Sequence, residues 1–143
     1  MSTNKYVTVG ASHSPRFLEV PLIEIDDREL DVLLSEDPGG PVVMLNLLRF
    51  RPDGGRESYQ RYAEALRGSV SSRYGVTVEY AGDGGRALVA EKGQAWDMVL
   101  LVRYPNRRAF ADMIRDPDYR EISHLRDEAL VESVLQPTVP SGV

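Results

Sequence analysis

A chain of 143 residues with 42% hydrophobic and 27% charged residues has the size and composition of one folded domain. The absence of cysteine excludes disulfides, thiolate metal sites and a cysteine nucleophile. With 17 Lys and Arg against 22 Asp and Glu, the net charge of −5 argues against a nucleic-acid partner, whose phosphates need a basic face.

In chain order, residues 1–20 lack periodicity and read as an arm ordered only on a partner or a second subunit. The opening MSTNKYVTVG has no apolar signal core. Asp26 and Asp27 stand before a short helical pattern at Leu30, Leu33 and Leu34, where an acidic side chain accepts backbone N–H groups. Pro38-Gly39-Gly40-Pro41 breaks the chain and divides an N-terminal arm with a short helix (1–40) from a domain at 41–138 and a tail at 139–143.

Val42–Phe50, apolar except for Asn46 and Arg49, predicts a buried strand. Arg56–Tyr74 spaces Tyr59, Tyr62, Ala63, Leu66, Val70 and Tyr74 as an amphipathic helix that stops at Gly75. Val76–Tyr80 alternates as a half-buried strand does, Gly82–Gly85 is a hairpin-type turn, and Ala87–Glu91 reads as a short return strand. Trp96–Tyr104 is the strongest strand pattern, and its aliphatic centre, Met98–Val102, is far too short to cross a membrane. Asn106 caps a short helix carrying Phe110 and Met113; Asp116-Pro117 ends it and opens another, with Tyr119, Ile122, Leu125 and Ala129 as its stripe. Val131–Thr138 is the last strand.

This order predicts an α+β fold, the ferredoxin-like βαββαβ arrangement with an antiparallel sheet and helices on one face. Val42–Phe50 and Trp96–Tyr104 are apolar on both alternating sets of residues. Helices cover only one of the two faces, so the second must also be hidden from water. The simplest cover is a second copy, which predicts a homodimer packed sheet against sheet.

Three segments resemble a group of bacterial proteins of unknown function: PVVMLNLLRFRP at 41–52, WDMVLLVRYPNRR at 96–108 and DPDYREISHLRDEALVESVLQPT at 116–138. The group belongs to the dimeric α+β barrel superfamily, and the similarity spans residues 38–138. The resemblance implies two ferredoxin-like subunits joined through their sheets. The superfamily includes cofactor-free monooxygenases of antibiotic biosynthesis, polyketide cyclases, muconolactone-type isomerases and haem-binding enzymes, so the fold by itself does not choose a chemistry. In related barrels the small-molecule pocket lies within each subunit, between sheet and helices.

Asn46, flanked by Met44 and Leu48, falls on a buried face; it is read as a donor to a substrate oxyanion, or as an amide bonded to neighbouring backbone. His124, beside Leu125, is read as a general acid or base, or as a half-exposed helix residue near Asp127 or Glu128. Trp96, Tyr80, Tyr62 and Phe110 are candidate walls of an aromatic pocket, or ordinary core rings. Glu79 and Arg103 fall on the other strand sets and pair at the dimer face, or act as a catalytic carboxylate–guanidinium couple. One helix histidine with scattered carboxylates lacks metal-ligand spacing. The Gly82–Gly85 loop joins strand to strand, so it does not bind a dinucleotide phosphate.

The expectation is a cytoplasmic, cofactor-independent enzyme of cyclase, isomerase or monooxygenase type. Its small-molecule substrate is an aromatic or polyketide-like intermediate of secondary metabolism, and it uses neither a metal, nucleic acid nor a membrane. His124 would shuttle a proton and Asn46 would stabilise an oxyanion. The alternative is a non-catalytic ligand-binding or scaffold dimer. Haem binding is a third reading, which requires His124 to aim into a roomy cavity.

Overall fold

The structure is a computed structural model that describes residues 25–142 and, as backbone strands, residues 6–9 and 18–21. Two short strands, β1 (Tyr6–Val9) and β2 (Leu18–Pro21), pair antiparallel as their own hairpin. They lie where the sequence suggested no regular element, although Tyr6-Val7-Thr8-Val9 is a run of residues that suit a pleated surface. The remainder of residues 1–24 lies outside the described residues.

α1 (Asp27–Ser35) starts where the Asp26 carboxylate accepts the Glu29 N–H at 2.8 Å. It is tied to the later helix α3 (Arg107–Arg115): Arg115 reaches Asp27 and Asp31, and Arg107 donates to the Leu33 carbonyl. Leu30 is its fully buried contribution to the core.

The main sheet has strand order β4-β5-β3-β6 and is antiparallel throughout, with β3 (Val42–Phe50), β4 (Thr77–Asp83), β5 (Met98–Tyr104) and β6 (Leu130–Thr138). Both apolar runs recognised in the sequence, β3 and β5, are therefore its central strands. The helices α2 (Gly55–Ser69), α3 and α4 (Pro117–Ala129) complete the ferredoxin-like α+β fold. On β3 the residues Val42, Met44, Asn46, Leu48 and Phe50 are buried, while the alternate residues Val43, Leu45, Leu47 and Arg49 are half-buried. In register with the buried set stand Met98, Leu100, Val102 and Tyr104 of β5 and Leu135 of β6. In register with the other set stand Val99, Leu101 and Arg103 of β5, with Val134 and Glu132 of β6.

α2 is shorter than its sequence pattern: it ends at Ser69, and Ser71–Tyr74 form a 3₁₀ turn closed by Gly75 at φ 66°. A second glycine is required by contact, because a Cβ on Gly55 would stand 2.5 Å from the Ala129 carbonyl oxygen. α2 and α4 are also joined by the Ser58 hydroxyl, which donates to the Leu125 carbonyl at 2.9 Å. α4 begins as expected, with Pro117 in its first turn and the Asp116 carboxylate accepting the Asp118 N–H.

The expected return strand at Ala87–Glu91 does not form. β4 pairs directly with β5, and the hairpin closes where Gly84 donates to the Asp97 carbonyl at 2.8 Å. A side chain at Gly84 would collide with the Trp96 carbonyl. The intervening segment projects from the sheet, leaving Leu88 and Val89 more than nine-tenths exposed. β5 already has a partner on each side, so no sheet edge remains beside it for a further strand.

Candidate functional site

Between the sheet and its helices lies a cavity of about 900 Å³. Its apolar walls include Leu30, Met98, Leu100, Val102, Phe110 and Met113. Polar groups enter from several elements: Asn46 from β3, Tyr104 from β5, Tyr59 and Tyr62 from α2, and Tyr119 and Arg126 from α4. All six are buried. The charged lining residues Asp26, Asp27, Glu64, Arg67 and Arg120 are exposed and Asp127 is half-buried, so formal charge other than that of buried Arg126 gathers towards the mouth.

Strand parity places Asn46. It stands opposite Leu100 on β5 and Leu135 on β6, so its amide enters the cavity from the centre of the sheet. Its Nδ2 donates to the Met44 carbonyl at 3.4 Å, beyond the usual range for such bonds. The second hydrogen of that amide is available to a ligand acceptor.

The tyrosines form a connected wall. Tyr59 lies between Phe50 and Tyr62, with ring centroids 5.7 and 5.4 Å away. Tyr62 meets Tyr119 edge-on, and their hydroxyls are 3.0 Å apart. Tyr104 meets Phe110 edge-on at 4.9 Å. Burial pushes the phenols of Tyr59, Tyr62 and Tyr104 above their ordinary value of 10.0. A phenol held in this way is neutral at physiological pH and acts as a hydrogen-bond donor rather than a base. The Arg126 guanidinium is near enough to these groups to oppose that rise.

Of the residues singled out from the sequence, Asn46, Tyr62 and Phe110 line the cavity together. Five others, His124, Tyr80, Trp96, Glu79 and Arg103, do not reach it. His124 is exposed on α4, with its Nδ1 2.9 Å from the Glu121 carbonyl oxygen. The proton-shuttle position expected of it, and the aim into the cavity that haem binding requires, are not what this geometry places there: His124 lies outside the cavity lining. The reason is helical phase: the buried face of α4 runs through Tyr119, Arg126 and Ala129, and His124 lies off it.

Tyr80 is displaced by a β-bulge. The register of β4 shifts between Val78 and Tyr80, so Tyr80 stands opposite Leu101 on the other face of the sheet and is 55% exposed. Trp96 precedes β5, and its ring lies under the Arg49 guanidinium at 4.5 Å, on that same face. Arg49 also donates to the Gly93 and Ala95 carbonyls and pairs with Glu132. Glu79 and Arg103 approach each other at 4.0 Å, both exposed and both outside the cavity lining. The geometry thus separates these two from any interior acid–base role.

Among the described residues no cluster of three His, Asp or Glu side chains could hold a metal ion. No described helix is long and apolar enough to cross a membrane.

Residues 54–136 match the family described as a domain of unknown function, DUF1330. The chain belongs to that family. Among solved structures it is similar to the RPA0582 protein of unknown function from Rhodopseudomonas palustris, at 34% identity and a TM-score of 0.75, over 82% of this chain and 95% of that one. A dimeric ferredoxin-like protein of unknown function from Jannaschia sp. CCS1 shares the fold at 12% identity and a TM-score of 0.55, over 71% of this chain and 100% of that one. A Bacteroides thetaiotaomicron protein named as a candidate antibiotic biosynthesis monooxygenase shares it at 23% identity and a TM-score of 0.50, over 71% of this chain and 90% of that one. No curated protein matches the chain.

Within the DUF1330 match lie the four cavity tyrosines and Arg126; Asn46 and Leu30 precede it. Arg126, Tyr59, Tyr104 and Tyr119 were not singled out from the sequence as site residues. A signal for Arg126 existed: it follows Tyr119 by seven residues, two helical turns along the same face, which places an arginine within an apolar stripe.

Proposed function

We propose that the protein is a cofactor-independent enzyme acting on an aromatic or polyketide-like small molecule held between the sheet and the helices, and that it works as a homodimer joined through the open sheet face. The observation that carries this reading is the cavity itself, with mostly apolar walls and several hydrogen-bond donors converging from different elements. The Asn46 amide and the tyrosine hydroxyls suit negative charge developing on a substrate oxygen, as an enolate or tetrahedral oxyanion would carry it. The reaction class is cyclisation, isomerisation or oxygenation through such an anion. Resemblance in fold to a protein named as a candidate antibiotic biosynthesis monooxygenase agrees with that class. Half-buried Val43, Leu45, Leu47, Val99, Leu101 and Val134 offer the apolar surface for the second copy.

One observation favours a second reading. The buried residues of the cavity supply donors, while the carboxylates that could accept a proton stand at its mouth. Such an interior also suits a non-catalytic, ligand-holding dimer.

Native mass spectrometry of freshly purified protein, followed by denaturing spectra, tests both. The expected result is a dimer carrying a small adduct that leaves on denaturation. Returning the extracted adduct to fresh protein separates the readings: conversion to a new mass supports the enzyme, and an unchanged ligand supports the holder. A monomer overturns the homodimer.

A further inference from the structure

We infer that the ligand of this cavity is an anion, a small carboxylate or an acidic enol with an apolar body, and that Arg126 is the group that receives its charge. The inference rests on the reading of the cavity as a ligand site and adds the chemical class of what fills it.

Arg126 is 8% exposed, belongs to the cavity lining and projects from the face of α4 that meets α2 and the sheet. Four buried phenols, from Tyr59, Tyr62, Tyr104 and Tyr119, are close enough to interact with it electrostatically. A guanidinium keeps its charge throughout the physiological range, and its five N–H donors serve more than one acceptor at a time. Its fork matches the two oxygens of a carboxylate. Around it the wall offers further donors: the phenol hydroxyls and, from the sheet, the Asn46 amide. A ligand bearing several acceptor oxygens answers such a set, and a cationic ligand does not. The carboxylates among the lining residues, Asp26, Asp27, Glu64 and Asp127, are exposed or half-buried. Leu100, Phe110 and Met113 leave an apolar region for the body of the molecule.

The test compares cinnamate with cinnamamide, which share a carbon skeleton and differ in charge. Both are titrated calorimetrically into the full-length protein. Cinnamate is expected to bind about tenfold or more tightly than the amide, the scale of one charge-assisted hydrogen-bonded contact. Arg126→Gln should bring the two affinities together. If that variant does not fold by near-ultraviolet circular dichroism, Arg126→Lys keeps the charge, loses the fork and should reduce the preference several-fold. Equal binding of acid and amide by the unaltered protein overturns the anion assignment and leaves the cavity reading standing. A preference that survives Arg126→Gln but disappears in Arg67→Gln or Arg120→Gln places the anion at the mouth and overturns the role of Arg126. Binding of neither probe at millimolar concentration overturns the proposed class. An uncharged adduct in the native spectrum would then preserve the cavity as a ligand site.

Discussion

The two faces of the main sheet are built from the same strands and meet different surroundings. On one face Val42, Met44 and Leu48 are almost fully buried beneath the helices, and Asn46 and Tyr104 supply polar groups to a cavity. On the other, Val43, Leu45, Leu47, Val99 and Leu101 stay half-buried, with Arg49, Trp96 and Glu132 at one border. Both faces are apolar because β3 and β5 lie at the centre of the sheet. The difference lies in what covers them. A covered face with a few buried polar groups is a place for a ligand, whereas a flat open apolar face is a place for another protein surface.

The sharpest way to break this comparison is to charge the open face. Leu101→Asp is expected to abolish the proposed dimer, and size-exclusion chromatography with light scattering should then report a monomer of the chain mass. A dimer that persists would remove this face from the interface. On the covered face, Leu48→Ala should instead lower the unfolding free energy by about 2–5 kcal/mol, read from a denaturant titration, because it leaves a cavity beneath the helices. A loss no larger than that of Leu45→Ala in a monomeric background would mean that the two faces are packed alike.

Asn46 sharpens the distinction further. Its amide is buried with one long hydrogen bond, and a weakly satisfied buried polar group costs about 1–3 kcal/mol. Asn46→Leu should therefore leave stability unchanged or raise it, while weakening retention of the native adduct. A strongly destabilised variant would show that the amide serves the fold rather than a ligand.

The covered face also has a pH signature. Burial raises the folded-state pKa of Tyr59, Tyr62 and Tyr104 above the value of 10.0 expected in the unfolded chain. Above pH 10 the unfolded chain loses phenolic protons that the folded chain retains, so stability falls as pH rises through that range. Absorbance at 295 nm should show these three tyrosines ionising together with unfolding. Ionisation of Tyr59, Tyr62 and Tyr104 ahead of unfolding would contradict their burial.

The smallest expected effect belongs to the exposed pair Glu79–Arg103. At 4.0 Å, Arg103→Ala should change the unfolding free energy by about 0.5 kcal/mol or less. A larger effect on dimer dissociation than on unfolding would show that a partner covers the pair.

Sequence determined much of this molecule. The apolar runs of β3 and β5 marked the central strands, and the α2 spacing of Tyr59 and Tyr62 named a buried helical face. Asp26, Asn106 and Asp116 marked helix starts, because short polar side chains accept the first N–H groups wherever they stand. The parity of Asn46 between Met44 and Leu48 put it on the covered side for the same local reason. What the tertiary structure alone decided depends on contacts between distant segments. A bulge at Val78–Tyr80 reversed the face of Tyr80, and the direct pairing of β4 with β5 left the segment between them as a projecting loop with no strand partner. The phase of α4, set by how Tyr119 and Ala129 pack, left His124 in solvent and carried Arg126 into the cavity. Local pattern specifies which residues seek burial, but only packing specifies which of two neighbouring helix positions obtains it, since adjacent residues lie about 100° apart around the axis.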